Sequence, residues 1–159
     1  MKSVDLLLGN TPSWIKIENR QKAVVKIIAT PPMPGGGSDM QFHLELRVSS
    51  QHGVEVTEQN NHRRFPAFCL ERHINSDHTF CLYFGSERLL KNDQAALEWW
   101  SSLGSFLVNQ VYAARHGVWP LAAGLSHGAA AGEQLEMEAL AEPLGWVDDI
   151  LRAMFRGKG

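Results

Sequence analysis

The chain has 159 residues, 44% of them hydrophobic, which is the size and composition of one domain with a real core. Its 15 basic and 17 acidic side chains give a formal net charge of −2, and no run of Lys or Arg could follow phosphates, so no nucleic-acid partner is expected. No apolar run approaches the roughly 20 residues that span a bilayer, so a cytoplasmic protein without membrane contact is expected.

Short β-branched segments fill the first half of the chain. Partly alternating apolar residues predict strands at 14–18, 22–30, 40–48 and 53–58. Asn19-Arg20 is predicted to turn the chain between the first two strands, and the proline- and glycine-rich residues 31–39 cannot continue a strand or helix. The pattern predicts an antiparallel meander, with little room for a helix before Trp14.

After about residue 90 the hydrophobic period becomes helical. Asn92 or Asp93 is predicted to cap a long helix that ends at Gly117. Its apolar residues recur three and four positions apart: Leu97, Trp100, Leu103, Leu107, Val111 and Ala114. Trp99, Trp100 and Phe106 are expected to pack this helix against the sheet.

Two further helices are predicted. The second runs from about 129 to 142, with Ser126 as its N-cap and Pro143 after its end, and the third covers 146–155. Strands over about 14–84 followed by helices over about 92–156 predict one α+β domain, residues 1–159. The helices are expected to pack on one face of an antiparallel sheet.

A polar loop re-enters apolar sequence at residues 73–82, HINSDHTFCL. A lone cysteine before an apolar segment is by default a small buried residue. Cys81, however, follows a run of polar and titratable side chains, namely His73, Asn75, Asp77 and His78. This setting favours a functional thiol at Cys81, whereas Cys69 lacks such a setting and is predicted to pack in the core. Both thiols are expected to be free.

Residues 65–84, FPAFCLERHINSDHTFCLYF, resemble the active-site segment of ubiquitin-conjugating enzymes. In that family a proline-rich stretch leads to His-Pro-Asn-Ile, a short polar turn and the catalytic Cys-Leu pair. Ile74 matches the isoleucine, and Cys81-Leu82 match the catalytic pair. His73 stands where the family has its oxyanion-stabilising asparagine, and the nearest amide, Asn75, lies two residues later.

The helical half of the chain, including SHGAAAGEQ, looks like the divergent bacterial members of that superfamily. Those members are associated with a ubiquitin-like protein, an activating enzyme and a deconjugating metalloprotease in phage defence. The resemblance implies a conjugating-enzyme-like fold and an acyltransferase that needs no cofactor or metal. Cys81 would accept a ubiquitin-like protein as a thioester from the activating enzyme and pass it to a protein target. In the family, the activating enzyme docks on the first helix.

Such a carrier needs an accessible sulfur and hydrogen-bond donors for the tetrahedral oxyanion. A nearby imidazolium, from His73 or His78, would favour the thiolate. His73 is the favoured auxiliary residue, with Asn75 or His127 as substitutes. Asp77 could accept the proton of an attacking lysine, although a turn residue is the simpler interpretation.

Three other interpretations use the same segment. The domain could bind a ubiquitin-like protein without catalysis. Alternatively, two thiols and two imidazoles could hold a structural zinc ion, with Cys69, His73, His78 and Cys81 as ligands. A free-standing cysteine hydrolase would require His127 or another distant histidine to reach Cys81.

Overall fold

The computed structural model describes residues 3–35, 40–49, 53–69, 72–82, 90–120 and 136–150. Within them lie helix α1, four strands and helix α2, in the order α1 (Ser3–Gly9), β1 (Ile15–Gln21), β2 (Val24–Ala29), β3 (Phe42–Ser49), β4 (Gly53–Glu58) and α2 (Asp93–His116). Short 3-10 helices occupy Asn60–His62 and Glu142–Leu144. None of the described helices is both long and apolar enough to cross a bilayer.

The four strands form one antiparallel sheet in the order β1-β2-β3-β4. Strands followed by helices confirm the predicted α+β class and the meander. The predicted turn at Asn19-Arg20 is wrong, because a bulge between Ile17 and Asn19 lets β1 continue to Gln21. Gln21 pairs with Val24, so the turn consists of the two residues between them, and Lys22 has a positive φ of 53°.

A helix does precede Trp14, so the expectation of little room for one there is wrong. Residues Ser3–Gly9 form α1 and bury Val4, Leu6 and Leu7. A helix of this length is not stable alone, so packing must hold it. The buried indole N–H of Trp100 in α2 donates to the Leu7 carbonyl at 3.0 Å, and this bond ties α1 to the centre of the domain.

Helix α2 has both of its predicted ends. Asn92 Oδ1 accepts the backbone N–H of Ala95 at 2.8 Å, and Gly117 adopts a left-handed conformation with φ 73°. The predicted apolar face was partly wrong, because Leu97 is 49% exposed and Ala114 is also exposed. The buried face is shifted toward Trp99 and includes these residues: Ala96, Trp99, Trp100, Leu103, Phe106, Leu107, Gln110, Val111 and Ala113.

The core lies between α1 and α2 and one face of the sheet. Buried residues alternate along β3 at Phe42, Leu44, Leu46 and Val48, as expected for a strand with one covered face. Trp99 and Trp100 are buried and contact each other edge to face, with ring centroids 4.8 Å apart. Trp99, Trp100 and Phe106 belong to the same buried cluster as the inward residues of the sheet, as predicted.

The described residues near the C-terminus agree with the predicted helix end and restart. Residues 136–141 are helical and lead into the 3-10 turn that contains Pro143. Gly145 closes this turn with φ 69°, and residues 147–150 are again helical. The remaining parts of the two predicted helices, and Ser126, lie outside the described residues.

Candidate active site

The segment around the two cysteines folds as two successive tight turns. Cys69 pairs with Ile74, and Ile74 pairs in turn with Phe80, both antiparallel. In the second turn, His78 N–H donates to Asn75 O and Asn75 N–H donates to Thr79 O, both at 2.9 Å. This is the three-residue hairpin loop in which a type I turn is followed by one left-handed residue. We refer to residues 73–81 as the cysteine hairpin.

Each of the two turns ends on a histidine in the left-handed region. His73 has φ 56° and His78 has φ 68°. This conformation costs a non-glycine residue about 1–2 kcal/mol, and such strain concentrates at functional sites. The ring Nδ1 of His78 also donates to the Ala67 carbonyl, which ties the turn to the segment before Cys69. Sequence reasoning considered these histidines only as chemical groups and missed their backbone role.

The apolar side of the cysteine hairpin is fixed in the core. Ile74 is 1% exposed and Phe80 is 7% exposed. The Phe80 N–H donates to Val56 O on β4 at 2.9 Å, and the Phe80 ring stacks on Phe106 of α2 with centroids 4.6 Å apart. The hairpin is thus attached both to the sheet edge and to the long helix.

Cys81 lies at the end of this hairpin, opposite His73. Its N–H donates to His73 O at 2.8 Å, and its side chain is half-buried. Because side chains alternate along an extended segment, Cys81 and Thr79 are expected on the face opposite the buried Phe80. Neither cysteine forms a disulfide, as predicted, but Cys69 is half-buried and does not belong to the core cluster.

The candidate auxiliary residues differ in their surroundings. His73 is 8% exposed, and its ring centroid lies 5.0 Å from that of Trp119. Asn75 is half-buried, and its side-chain N–H group donates to Thr79 Oγ1 at 3.0 Å. His127 lies outside the described residues.

Asp77 behaves as the turn residue that the simpler interpretation predicted. Its Oδ1 accepts the Thr79 hydroxyl at 2.6 Å and the Thr79 backbone N–H at 3.0 Å. These two hydrogen bonds lower the pKa of the Asp77 carboxyl below its usual value of 3.8.

A buried polar contact that sequence reasoning missed joins the first turn to α2. Arg72 Nε donates to Gln110 Oε1 at 2.8 Å, and Gln110 Nε2 donates back to Arg72 O at 2.6 Å. A second guanidinium nitrogen reaches the main-chain oxygen of Gln110 at 3.1 Å. Gln110 is fully buried, and burial lowers the pKa of Arg72. The sequence did contain one signal for this contact, namely a glutamine within the apolar face of the predicted helix.

Glu58 holds the chain between β4 and the cysteine segment. Its carboxylate accepts the backbone N–H groups of Arg64 at 2.9 Å and Phe65 at 2.9 Å. Glu58 is 8% exposed, and burial raises its pKa above the usual value of 4.5, although these two hydrogen bonds oppose the shift. The Phe65 ring lies 5.7 Å from the Phe80 ring, so this turn also supports the hairpin.

A polar depression of about 270 Å³ lies beside the hairpin turn. Its lining includes Asp77–Thr79 and the outward side chains of β3 and β4, but not Cys81. Because charged side chains of both signs line it, the depression does not resemble an apolar ligand pocket.

The proposed zinc ligand set does not assemble. Among the described residues, which include all four candidates, no three His, Cys, Asp or Glu side chains form a group that could hold a metal ion. The pairing explains this, because Ile74 lies between Cys69 and Phe80 and the His78 ring is bound to Ala67. The zinc interpretation is therefore wrong for this geometry.

The four-stranded meander, the hairpin that carries Cys81 and the long following helix define an α+β fold of the conjugating-enzyme type. Residues 15–121 match the model of the prokaryotic E2 domain, and the chain belongs to this family. The match covers more than half of the chain, including all four strands, both cysteines and α2. No curated protein and no solved structure matches the chain. Family membership indicates a role of the ubiquitin-like conjugating type, in which an E2 domain interacts with a ubiquitin-like protein and an activating enzyme.

Proposed function

We propose that the protein carries a ubiquitin-like protein as a thioester on Cys81 and transfers it to a protein target. The observation that carries this proposal is the hairpin, which buries one face in the core and carries on the other a half-buried cysteine that forms no disulfide. Cys81 also occupies the position of the catalytic cysteine in the resembling segment. Cys69 lies outside the hairpin and pairs with Ile74 only through an isolated bridge.

The reaction has two acyl-transfer steps. The Cys81 thiolate attacks the thioester carbonyl that joins the ubiquitin-like protein to the activating enzyme, a new C–S bond forms, and the enzyme's thiolate leaves. An acceptor amine then attacks the same carbonyl, the bond to Cys81 breaks, and the thiol recovers a proton. Both steps pass through a tetrahedral oxyanion, which a nearby N–H donor would stabilise.

Two hairpin residues are candidates for that donor. His73 lies opposite Cys81, but the residue is only 8% exposed and its ring packs on Trp119. Asn75 is half-buried, and within the described part of the chain its second side-chain N–H has no partner. Asn75 is opposite Thr79 and therefore diagonal to Cys81, within reach of a bound acyl group. We favour Asn75 as the oxyanion donor and propose that the main role of His73 is in the backbone conformation of the turn.

The decisive experiment is intact mass under non-reducing conditions. Wild type, Cys81→Ala and Cys69→Ala are each incubated with the activating enzyme, the ubiquitin-like protein and ATP. We expect a thiol-sensitive adduct in wild type and in the matched control Cys69→Ala, but not in Cys81→Ala. No adduct from a demonstrably charged activating enzyme would refute the carrier role and leave the non-catalytic binding module.

The two donor candidates are separated by rates of discharge to free lysine. Asn75→Ala is expected to slow discharge by about 10²-fold, the usual cost of one oxyanion donor. His73→Gly tolerates the positive φ without supplying a side-chain donor and is expected to keep the rate within a few-fold. A large loss in His73→Gly, with Asn75→Ala unaffected, would return the role to His73.

The biological setting proposed is bacterial antiviral defence, on the basis of the resemblance of the helical half. Phage plating on cells that carry the complete conjugation system is the test. We expect protection to be lost with Cys81→Ala and retained with Cys69→Ala. Equal protection with both variants would show that defence does not depend on the Cys81 thiol.

A further inference from the structure

Three side chains of the cysteine hairpin form a directed chain of hydrogen bonds. Asn75 Nδ2 donates to Thr79 Oγ1 at 3.0 Å, and Thr79 Oγ1 donates to Asp77 Oδ1 at 2.6 Å. The Thr79 backbone N–H donates to the same carboxylate oxygen at 3.0 Å. All three residues belong to the turn that precedes Cys81.

The direction of this chain is set by its last member. An ionised carboxylate can only accept, so the single hydroxyl proton of Thr79 is committed to Asp77. The hydroxyl lone pairs are then left for Asn75, which must present an N–H and not its carbonyl. A flipped amide would place two acceptor oxygens against each other. The Asn75 amide is therefore held in one orientation.

The geometry points to Thr79 as a positioning residue for the transfer reaction. We propose that its hydroxyl fixes the Asn75 amide so that the second N–H is available on the face that carries Cys81. This inference rests on the proposed function, because it assigns a role in discharge of the Cys81 thioester. Thr79 itself does not touch the reacting atoms, since one N–H of Asn75 lies between.

Preorganisation explains why this arrangement should matter. A donor that is already oriented needs no rearrangement when the oxyanion develops, whereas a freely rotating amide does. Removing the Thr79 hydroxyl leaves Asn75 in place but releases its orientation. The expected defect is therefore a slower discharge, with the thioester still formed.

The test uses the full chain, with Thr79→Val as the near-isosteric variant and Thr79→Ser as the variant that keeps the hydroxyl. Thr57→Val, a half-buried threonine on β4, is the matched control. After charging by the activating enzyme, discharge of the Cys81 adduct to free lysine is followed by intact mass. We expect Thr79→Val to be slowed about 10-fold or more, and the Ser and Thr57→Val variants to stay within about threefold of wild type.

A double variant separates positioning from a merely structural effect. If Thr79 acts through Asn75, Thr79→Val should cause no further loss of rate in an Asn75→Ala background. The inference would be overturned if the fold-losses of the two single variants multiplied in the double variant. A wild-type discharge rate in Thr79→Val would also overturn it. Failure of wild type to form any adduct would instead refute the proposed function, and this inference with it.

Discussion

Replacing Trp100 with Phe should loosen α1 selectively, because the indole N–H of Trp100 is the buried polar link to that helix. The variant loses the 3.0 Å bond to Leu7 O, a carbonyl that keeps only a longer 3.3 Å contact with Asn10 N–H. The lost bond costs about 1 kcal/mol. The space left by the smaller ring at a 2% exposed position adds about 1–2 kcal/mol. The expected total is about 2–3 kcal/mol.

Urea unfolding followed by circular dichroism measures this loss, and amide hydrogen exchange locates it. Faster exchange at Leu7 and Leu8 than in β3 would show that α1 detaches before the sheet opens. Trp146→Phe is the control, because Trp146 is 57% exposed and should change stability by less than about 0.5 kcal/mol. A Trp100→Phe loss equal to that control, or uniform exchange across the domain, would refute the reasoning.

Three further predictions concern the supports of the site. Gln110→Leu leaves the Arg72 guanidinium without its side-chain acceptor and should lower the free energy of unfolding in urea by about 2–4 kcal/mol. A loss below about 0.5 kcal/mol would mean that water replaces the contact. Asn92→Ala removes the N-cap of α2 and should lower stability by about 1 kcal/mol, and an unchanged urea midpoint would show that the cap is dispensable. Burial raises the pKa of Glu58, so its favourable contribution is complete below pH 4.5 and declines as the pH rises through the folded pKa. The stability of wild type relative to Glu58→Gln, from urea unfolding at several pH values, should therefore fall with rising pH, and a rise would contradict the assigned direction.

Regular elements with strong local signals were predictable from the sequence. The caps at Asn92 and Gly117 are short-range features, and the structure places them at the expected residues. The first turn was missed because a bulge in β1 does not alter the apolar pattern, and α1 was missed because its stability depends on Trp100, far along the chain. Interactions between distant residues have no local signature.

In the candidate site, too, local features were predictable from the sequence and contacts between distant residues were not. The position of Cys81 after a polar turn was visible in the sequence, and so was the turn role of Asp77. The hydrogen-bond direction from Asn75 through Thr79 was not, because it depends on backbone pairing that brings these two residues opposite each other. The contact between Arg72 and Gln110 joins residues 38 positions apart and could not be inferred from spacing.

The carrier role proposed for Cys81 imposes two opposed requirements, since the cysteine has to be reached by large partners and yet stay in a fixed position. The cysteine hairpin meets both because its two faces differ. Ile74 and Phe80 bury one face against the sheet and α2, and this packing fixes the position of the Cys81 backbone. Asn75 and Thr79 are only half-buried, which leaves the other face to chemistry. Substitutions that loosen the buried face should therefore impair both charging and discharge, whereas substitutions on the polar face should impair discharge alone.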